Sequence, residues 1–201
     1  LGELDGATNL NPAQMKQLTN DKNLAVISGE ARGFTQIGFN VYTDPSSTGN
    51  PLLLDKNIRH AIELSINKQK IVDMAYNGQG TLGTTLINPG DFYHYEPTAE
   101  EMRSYNPEAA KSLLESAGYK DTNNDGVLES QDGKPLEFNL ITISDNLEEV
   151  KSGQMIAADC AEVGIKIDNV TMDSGALNDK IAAADYDMFI WGWGADIDPT
   201  V

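Results

Sequence analysis

Basic residues, cysteine, histidine and long apolar runs are all scarce in this chain, and each scarcity narrows what the chain can do. Only 14 Lys and Arg stand against 31 Asp and Glu, which leaves a formal net charge of -17 at pH 7. Such a surface repels phosphate backbones and anionic headgroups, so nucleic acid and an acidic membrane face are excluded as partners. Cys160 is the only cysteine, so a disulfide within the chain is impossible and cysteine usage does not report the compartment. It shares a helical face with Ala157 and Val163, has no histidine placed nearby in sequence to activate it, and reads as a buried small hydrophobe. His60 and His94 are the only histidines, and their neighbours lack transition-metal spacing. No apolar stretch approaches the length of a membrane span. Phosphate-binding Gly loops, Gly-x-Ser-x-Gly elbows, internal repeats and low-complexity tracts are also missing.

What is present is an alternation of short strands and helices. Asn11-Pro12-Ala13-Gln14 reads as a capping box opening a helix through about Leu18. Strands are expected over Leu24–Ser28 and Gln36–Tyr42, separated by a Gly-Glu-Ala-Arg-Gly linker, with a polar loop over Thr43–Pro51. Asp55 caps a helix with Ile58, Ala61, Ile62 and Ser65 on one face. Asn67 caps a second, with Ile71, Met74 and Ala75 inward and Asn77-Gly78 as its stop. Gly78 to Pro97 has no periodicity and is a long irregular segment. Asn106-Pro107 opens a helix carrying Ala110, Leu113, Leu114 and Ala117, stopped by Gly118. From Leu136 onward a β-α-β-α-β order follows: a strand to Ile143, a helix over about 147–163, a strand over 165–171, a helix over 175–184 capped by Ser174, and a final strand. Short connections of this kind require right-handed crossovers and imply three parallel strands.

The final strand begins with the apolar run Met188 to Trp191 and passes into Gly192-Trp193-Gly194-Ala195-Asp196-Ile197-Asp198-Pro199, rich in turn formers. Two indoles flank glycines that allow close backbone approach, and two carboxylates follow. Ligands of open parallel sheets sit beyond the carboxyl ends of the strands, where this stretch falls. Two readings stand side by side: a binding wall, or a buried last strand whose tryptophans are core and whose Asp196 and Asp198 cap a turn. A glycosidase-like use of Asp187, Asp196 and Asp198 is disfavoured, because Asp196 and Asp198 are too close in sequence to flank a bond.

A second constellation runs from Asp121 to Asp132. Asp121, Asn123, Asp125, Val127, Glu129 and Asp132 occupy positions one, three, five, seven, nine and twelve of a calcium loop, with Gly126 at six and apolar Leu128 at eight. Asp at twelve replaces the bidentate Glu, and Gly133-Lys134-Pro135 forbids the exiting helix of an EF-hand. A structural Ca²⁺ site and a metal-free Asx turn both fit this pattern.

Segments in order along nearly the whole chain resemble the family 5 extracytoplasmic solute-binding proteins of ABC importers, which include oligopeptide-, dipeptide- and nickel-binding proteins. They are Asp5-Gly6-Ala7-Thr8, Gly38-Phe39-Asn40-Val41, Leu54-Asp55-Lys56-Asn57-Ile58-Arg59-His60-Ala61-Ile62, and Asn67-Lys68-Gln69-Lys70-Ile71-Val72. Gly80-Thr81, Tyr105-Asn106-Pro107-Glu108-Ala109-Ala110-Lys111, Ala117-Gly118-Tyr119, Val163-Gly164-Ile165-Lys166 and Asp185-Tyr186-Asp187-Met188 through Trp193 and Asp196 continue the series. The resemblance implies an α/β fold: a periplasmic-binding-protein-like lobe with a mixed sheet containing the β-α-β-α-β parallel unit, flanked by helices. Residues 1–33 would be a remnant of a first lobe and the crossover from it, and 34–201 the second, ligand-binding lobe, truncated at its C-terminal end. Leu1 reads as the start of a cut piece, with any signal or lipid anchor upstream.

By the same resemblance, the chain is expected to belong to a non-enzymatic receptor. It would capture small peptides between two lobes and deliver them to ABC permease subunits outside the cytoplasm, as a membrane-anchored monomer with no required cofactor. Trp191, Trp193, Gly194, Ala195 and Asp196 would line the ligand, with Asp196, rather than Asp198, facing its α-amino group. The alternatives are an oligosaccharide or metal-complex receptor of the same family, or a calcium-dependent cell-surface domain.

Overall fold

Four strands form one mixed sheet in the computed structural model, which describes residues 5–8, 10–27, 29, 33–89, 91–99 and 101–194. The strands are β1 (Gly33–Phe39), β2 (Glu137–Ile143), β3 (Lys166–Met172) and β4 (Met188–Gly194), in the spatial order β1-β4-β2-β3. β2 runs parallel to both β3 and β4, so the expected three-stranded parallel unit is present. β1 closes the other side of β4, antiparallel and in register from Gly33 opposite Gly194 to Phe39 opposite Met188. Six α-helices accompany the sheet among the described residues: α1 (Pro12–Leu18), α2 (Lys56–Ser65), α3 (Lys68–Met74), α4 (Pro107–Ser116), α5 (Leu147–Ala161) and α6 (Ser174–Ala182). None of the helices in the described residues is long and apolar enough to cross a membrane.

Period-two alternation in β4 divides the core. Met188 and Ile190 point to the main cluster with Phe138 and Leu140 of β2, where Ile58, Ala61 and Ile62 of α2, Ala110 and Leu114 of α4, and Ile156 and Cys160 of α5 pack. Phe189 and Trp191 point the other way, toward Ile141, Tyr186 and Leu177 of α6. The crossover helices α5 and α6 therefore cover opposite faces. Each fully buried aliphatic side chain here contributes about 1.5–3 kcal/mol. The inward face of α2 is the one expected, with Ser65 buried beside the Cys160 thiol at 3.3 Å. Burial pushes that thiol up to about 12, so it stays protonated and is no nucleophile.

Several elements differ from the sequence reading. Leu24 to Ile27 form no strand: Leu24 and Ile27 are exposed and have no ladder to join, and Ser28 lies outside the described residues. β1 begins earlier and ends at Phe39, because Asn40 leaves the ladder. Its main-chain N–H donates to the Asp187 carbonyl, its side-chain amide donates to the Tyr186 carbonyl at 2.8 Å, and its Oδ1 accepts from the Tyr42 N–H. Met74, at the last position of short α3, is exposed rather than inward. Asp173, not Ser174, caps α6, accepting from the Ala176 N–H at 3.0 Å. β4 continues through Gly194 instead of dissolving after Trp191, since β1 pairs with it throughout.

Asp187 fixes the entry to β4. One carboxylate oxygen accepts from the Asn50 N–H at 2.7 Å and the other from the Asn139 N–H of β2 at 2.9 Å. One side chain thus ties β4, β2 and the loop before α2. Asp187→Ala is expected to destabilise the protein by about 2 kcal/mol or more, since two charge-assisted bonds are lost. Asp187→Asn should cost less because its amide retains one acceptor; chemical denaturation of the three proteins measures the series.

Glu149 is a buried carboxyl in the first turn of α5, 4 % exposed, with Oε2 lacking a hydrogen-bond partner among the described residues. Burial raises it above the ordinary value of 4.5, Asp145 adds to the rise and a main-chain hydrogen bond at Ile143 opposes it. The folded state therefore holds this proton more tightly than the unfolded chain. The resulting stabilisation is present below the ordinary value and is lost as pH rises through the raised one. Glu149→Gln is expected to melt higher than the parent near neutral pH, with the gap closing toward the ordinary carboxyl range in calorimetry. A pH-independent gap would contradict this.

Candidate functional site

The carboxyl ends of the strands part from one another. β2 and β4 pair only at Leu140–Met188 and Ile141–Phe189. Beyond that, β2 stays with β3 through Thr142–Thr171 and Ile143–Met172, and the Ser144 N–H donates to the Met172 carbonyl at 2.8 Å. β4 instead stays with β1 as far as Gly194 opposite Gly33. From Ile190 to Gly194, β4 thus has a strand on one edge and, among the described residues, none on the other. On its second edge, toward β2, the main-chain groups have no ladder partner among the described residues.

Two walls flank this edge. On the α6 face, Trp191 packs on the Ile141, Leu177 and Tyr186 cluster, and Trp193 follows with ring centroids 6.4 Å apart at 48°. Trp193 is 53 % exposed, so the second indole presents a broad apolar plane while the first anchors the strand. Gly38 lies beneath this row, and a Cβ there would come 2.5 Å from the Phe189 ring and force it to shift. On the opposite face, Thr35 stands across from Gly192, and the Tyr76 hydroxyl comes near the Thr35 and Ser152 side chains. Burial raises the Tyr76 hydroxyl above the phenol range, with the charges of Glu149 and Glu148 adding to the rise, so it stays neutral.

Of the residues singled out from sequence, Trp191, Trp193 and Gly194 stand together at this edge. Ala195, Asp196 and Asp198 lie outside the described residues. Asp187 is committed to the hydrogen bonds at the base of β4, so no paired-carboxylate arrangement includes it. Sequence reasoning missed Tyr76, Thr35 and Ser152. The one local signal was an aromatic residue at the exit of α3, just before the Asn77-Gly78 stop with its positive φ angles. His94 ties the irregular segment together: Nδ1 lies 2.6 Å from the Ile87 carbonyl and Nε2 2.8 Å from Glu96. In the second constellation, Asp121, Asp125 and Glu129 converge. Asp132 does not join them, because it sits in the turn in which the Gly133 N–H donates to the Ser130 carbonyl at 2.9 Å.

The family model for bacterial extracellular solute-binding proteins, family 5 (middle part), matches residues 1–201. The oligopeptide-binding protein AppA of Bacillus subtilis is 26% identical over 179 residues, 88% of this chain and 32% of AppA. Its structure in complex with a nonapeptide superposes with a TM-score of 0.83 at 26% identity, covering 95% of this chain and 37% of that one. A dipeptide-binding protein of Pseudomonas aeruginosa is 27% identical over 195 residues, 97% of this chain and 33% of the relative. A mannohexaose-bound oligopeptide-binding protein of Thermotoga maritima has a TM-score of 0.70 at 26% identity, covering 84% of this chain and 31% of that one. The chain spans about a third of the length of these curated relatives. With its ordered motifs, its splayed mixed sheet and a family match along the whole chain, this protein belongs to the bacterial extracellular solute-binding proteins of family 5.

Proposed function

We propose that this chain is the greater part of the ligand-binding lobe, residues 34–201, of a peptide receptor serving an ABC importer, with residues 1–33 leading in from the other lobe. The observation that carries the reading is the half-paired β4. An extended peptide can add to its open edge between β4 and β2, taking main-chain hydrogen bonds that do not depend on sequence. Trp193 supplies a flat apolar wall for peptide side chains, and Gly194 leaves room for close backbone approach. Asp196, just past the strand, faces the peptide α-ammonium, and Ala195 lines the path between them. Peptide-binding relatives of similar fold support this reading.

The remaining parts of the proposal follow from the family. Closure of two lobes on the peptide, delivery to membrane permease subunits, action outside the cytoplasm as an anchored monomer, and the absence of catalysis all belong to it. The mannohexaose complex of the Thermotoga maritima relative keeps an oligosaccharide as the competing ligand class, for which the exposed Trp193 plane would be the stacking surface.

Calorimetric titration of the full-length protein with short peptides tests the assignment. Losing a charge-assisted hydrogen bond in a partly dry cleft removes about 1.5–3 kcal/mol, a tenfold or larger fall in affinity. Free-amine peptides are therefore expected to bind, with that loss on N-acetylation or in Asp196→Ala, and with acetylation and mutation not adding to one another. Trp193→Ala should weaken all peptides alike. Binding of mannose oligomers but of no peptide would overturn the peptide reading in favour of the sugar one.

A further inference from the structure

The connection between α4 and β2 brings three carboxylates to one point. Asp121, Asp125 and Glu129 each place an oxygen within 4.8 Å of the others. Asp121 and Asp125 are exposed at the surface, whereas Glu129 is 5 % exposed. The two oxygens of Glu129 are in different circumstances. Oε2 accepts from the Thr122 N–H and hydroxyl, both at 2.8 Å, while Oε1 is buried with no hydrogen-bond partner among the described residues. A buried carboxylate oxygen without a partner is costly, and native structures seldom leave one. Among the described residues, no Lys or Arg nitrogen comes within 4.0 Å of any of the three carboxylates.

Main-chain donors hold the loop in shape. Asp121 accepts from the Asn124 N–H at 2.7 Å and the Gly126 N–H at 3.0 Å, and Asp125 accepts from the Val127 N–H at 2.8 Å. These bonds orient the carboxylates without neutralising them. Three converging negative charges, one of them buried, match a hard divalent cation, and oxygen-only donors in an irregular loop favour Ca²⁺ over the stricter octahedron of Mg²⁺.

The geometry points to a structural Ca²⁺ site formed by Asp121, Asp125 and Glu129, in which Glu129 Oε1 finds its missing partner. Asn123 and Val127 stand at the spacings that supply a side-chain amide oxygen and a main-chain carbonyl in such a loop. Asp132 takes no part. The site would act on the fold and not on the ligand. Glu129 exchanges main-chain hydrogen bonds with Lys120 at 2.8 and 3.1 Å, and the next residue back, Leu128, donates to the Gly164 carbonyl and accepts from the Leu136 N–H, both at 2.8 Å. An ion on Glu129 therefore fastens the exit of α4, the start of β2 and the α5–β3 turn to one another, at the end of β2 away from the open edge of β4.

The test uses full-length protein stripped with EGTA, titrated with CaCl₂ or MgCl₂ in a calorimeter and followed by melting temperature. Ca²⁺ is expected to bind with a dissociation constant of about 1 mM or tighter, as in extracellular modules, and to raise the melting temperature reversibly by roughly 3 °C or more at saturation. Mg²⁺ should do markedly less. Asp125→Asn and Glu129→Gln should each weaken Ca²⁺ at least about tenfold, while Asp132→Asn leaves affinity unchanged. If Glu129→Gln fails to fold, the exposed Asp125→Asn carries the comparison alone. No heat and no stabilisation up to about 10 mM Ca²⁺, an equal response to Mg²⁺, or undiminished affinity in Asp125→Asn would overturn the site.

Discussion

The carboxylate of Asp187 is the constraint on which the rest depends. By accepting main-chain N–H groups from Asn50 and Asn139, it holds β4 against β2 at one end, and the buried Asn40 amide seals the adjoining turn against the Tyr186 carbonyl. Held there, β4 can be paired on both sides over its first residues and on one side only over its last. Without that anchor, the position of β4 beside β2 would not be fixed, and an edge of variable register would be a poor template for any ligand. The strand is thus rigid at its base and exposed at its tip, and the tip carries the two indoles.

Opposite ends of the parallel unit then serve different purposes. At the carboxyl ends, β2 and β4 part and leave main-chain groups beside Trp191 and Trp193 without a ladder partner among the described residues. At the other end, the loop from Asp121 to Glu129 packs Leu128 against Gly164 and gathers carboxylates around a buried oxygen. Binding thus draws on incomplete hydrogen bonding, and stability at the far end draws on concentrated charge. Neither feature disturbs the main core, which is formed by α2, α4, α5 and one face of the sheet.

Local signals in the sequence were reliable where the physics is local. The buried face of α2, the Asn11, Asp55, Asn67 and Asn106 caps, and Gly118 and Gly164 at positive φ after their helices all follow from short-range spacing and capping. The parallel unit was legible because its crossovers are short. What escaped were effects of pairing across long separations. β4 extends through Gly194 only because β1, some 155 residues earlier, lies beside it. Leu24 to Ile27 had strand composition but no partner. Asp173 outcompeted Ser174 as a cap by position, and Met74 fell on the outward side of a helix too short to enforce its face. Within the candidate site, the indoles were visible in the sequence. Tyr76, Thr35 and Ser152 were not, because separate parts of the chain have to fold before their hydroxyls come near one another.

Hydrogen exchange on the full-length protein, with and without a bound peptide, tests most directly whether the open edge of β4 is the recognition surface. The expected result is peptide-dependent protection of amides between Ile190 and Gly194, reduced when the peptide backbone is N-methylated, with little change at the Asp187 end, where pairing is already complete. Tight peptide binding that leaves exchange over Ile190 to Gly194 unchanged would contradict strand addition and place the ligand elsewhere on the molecule.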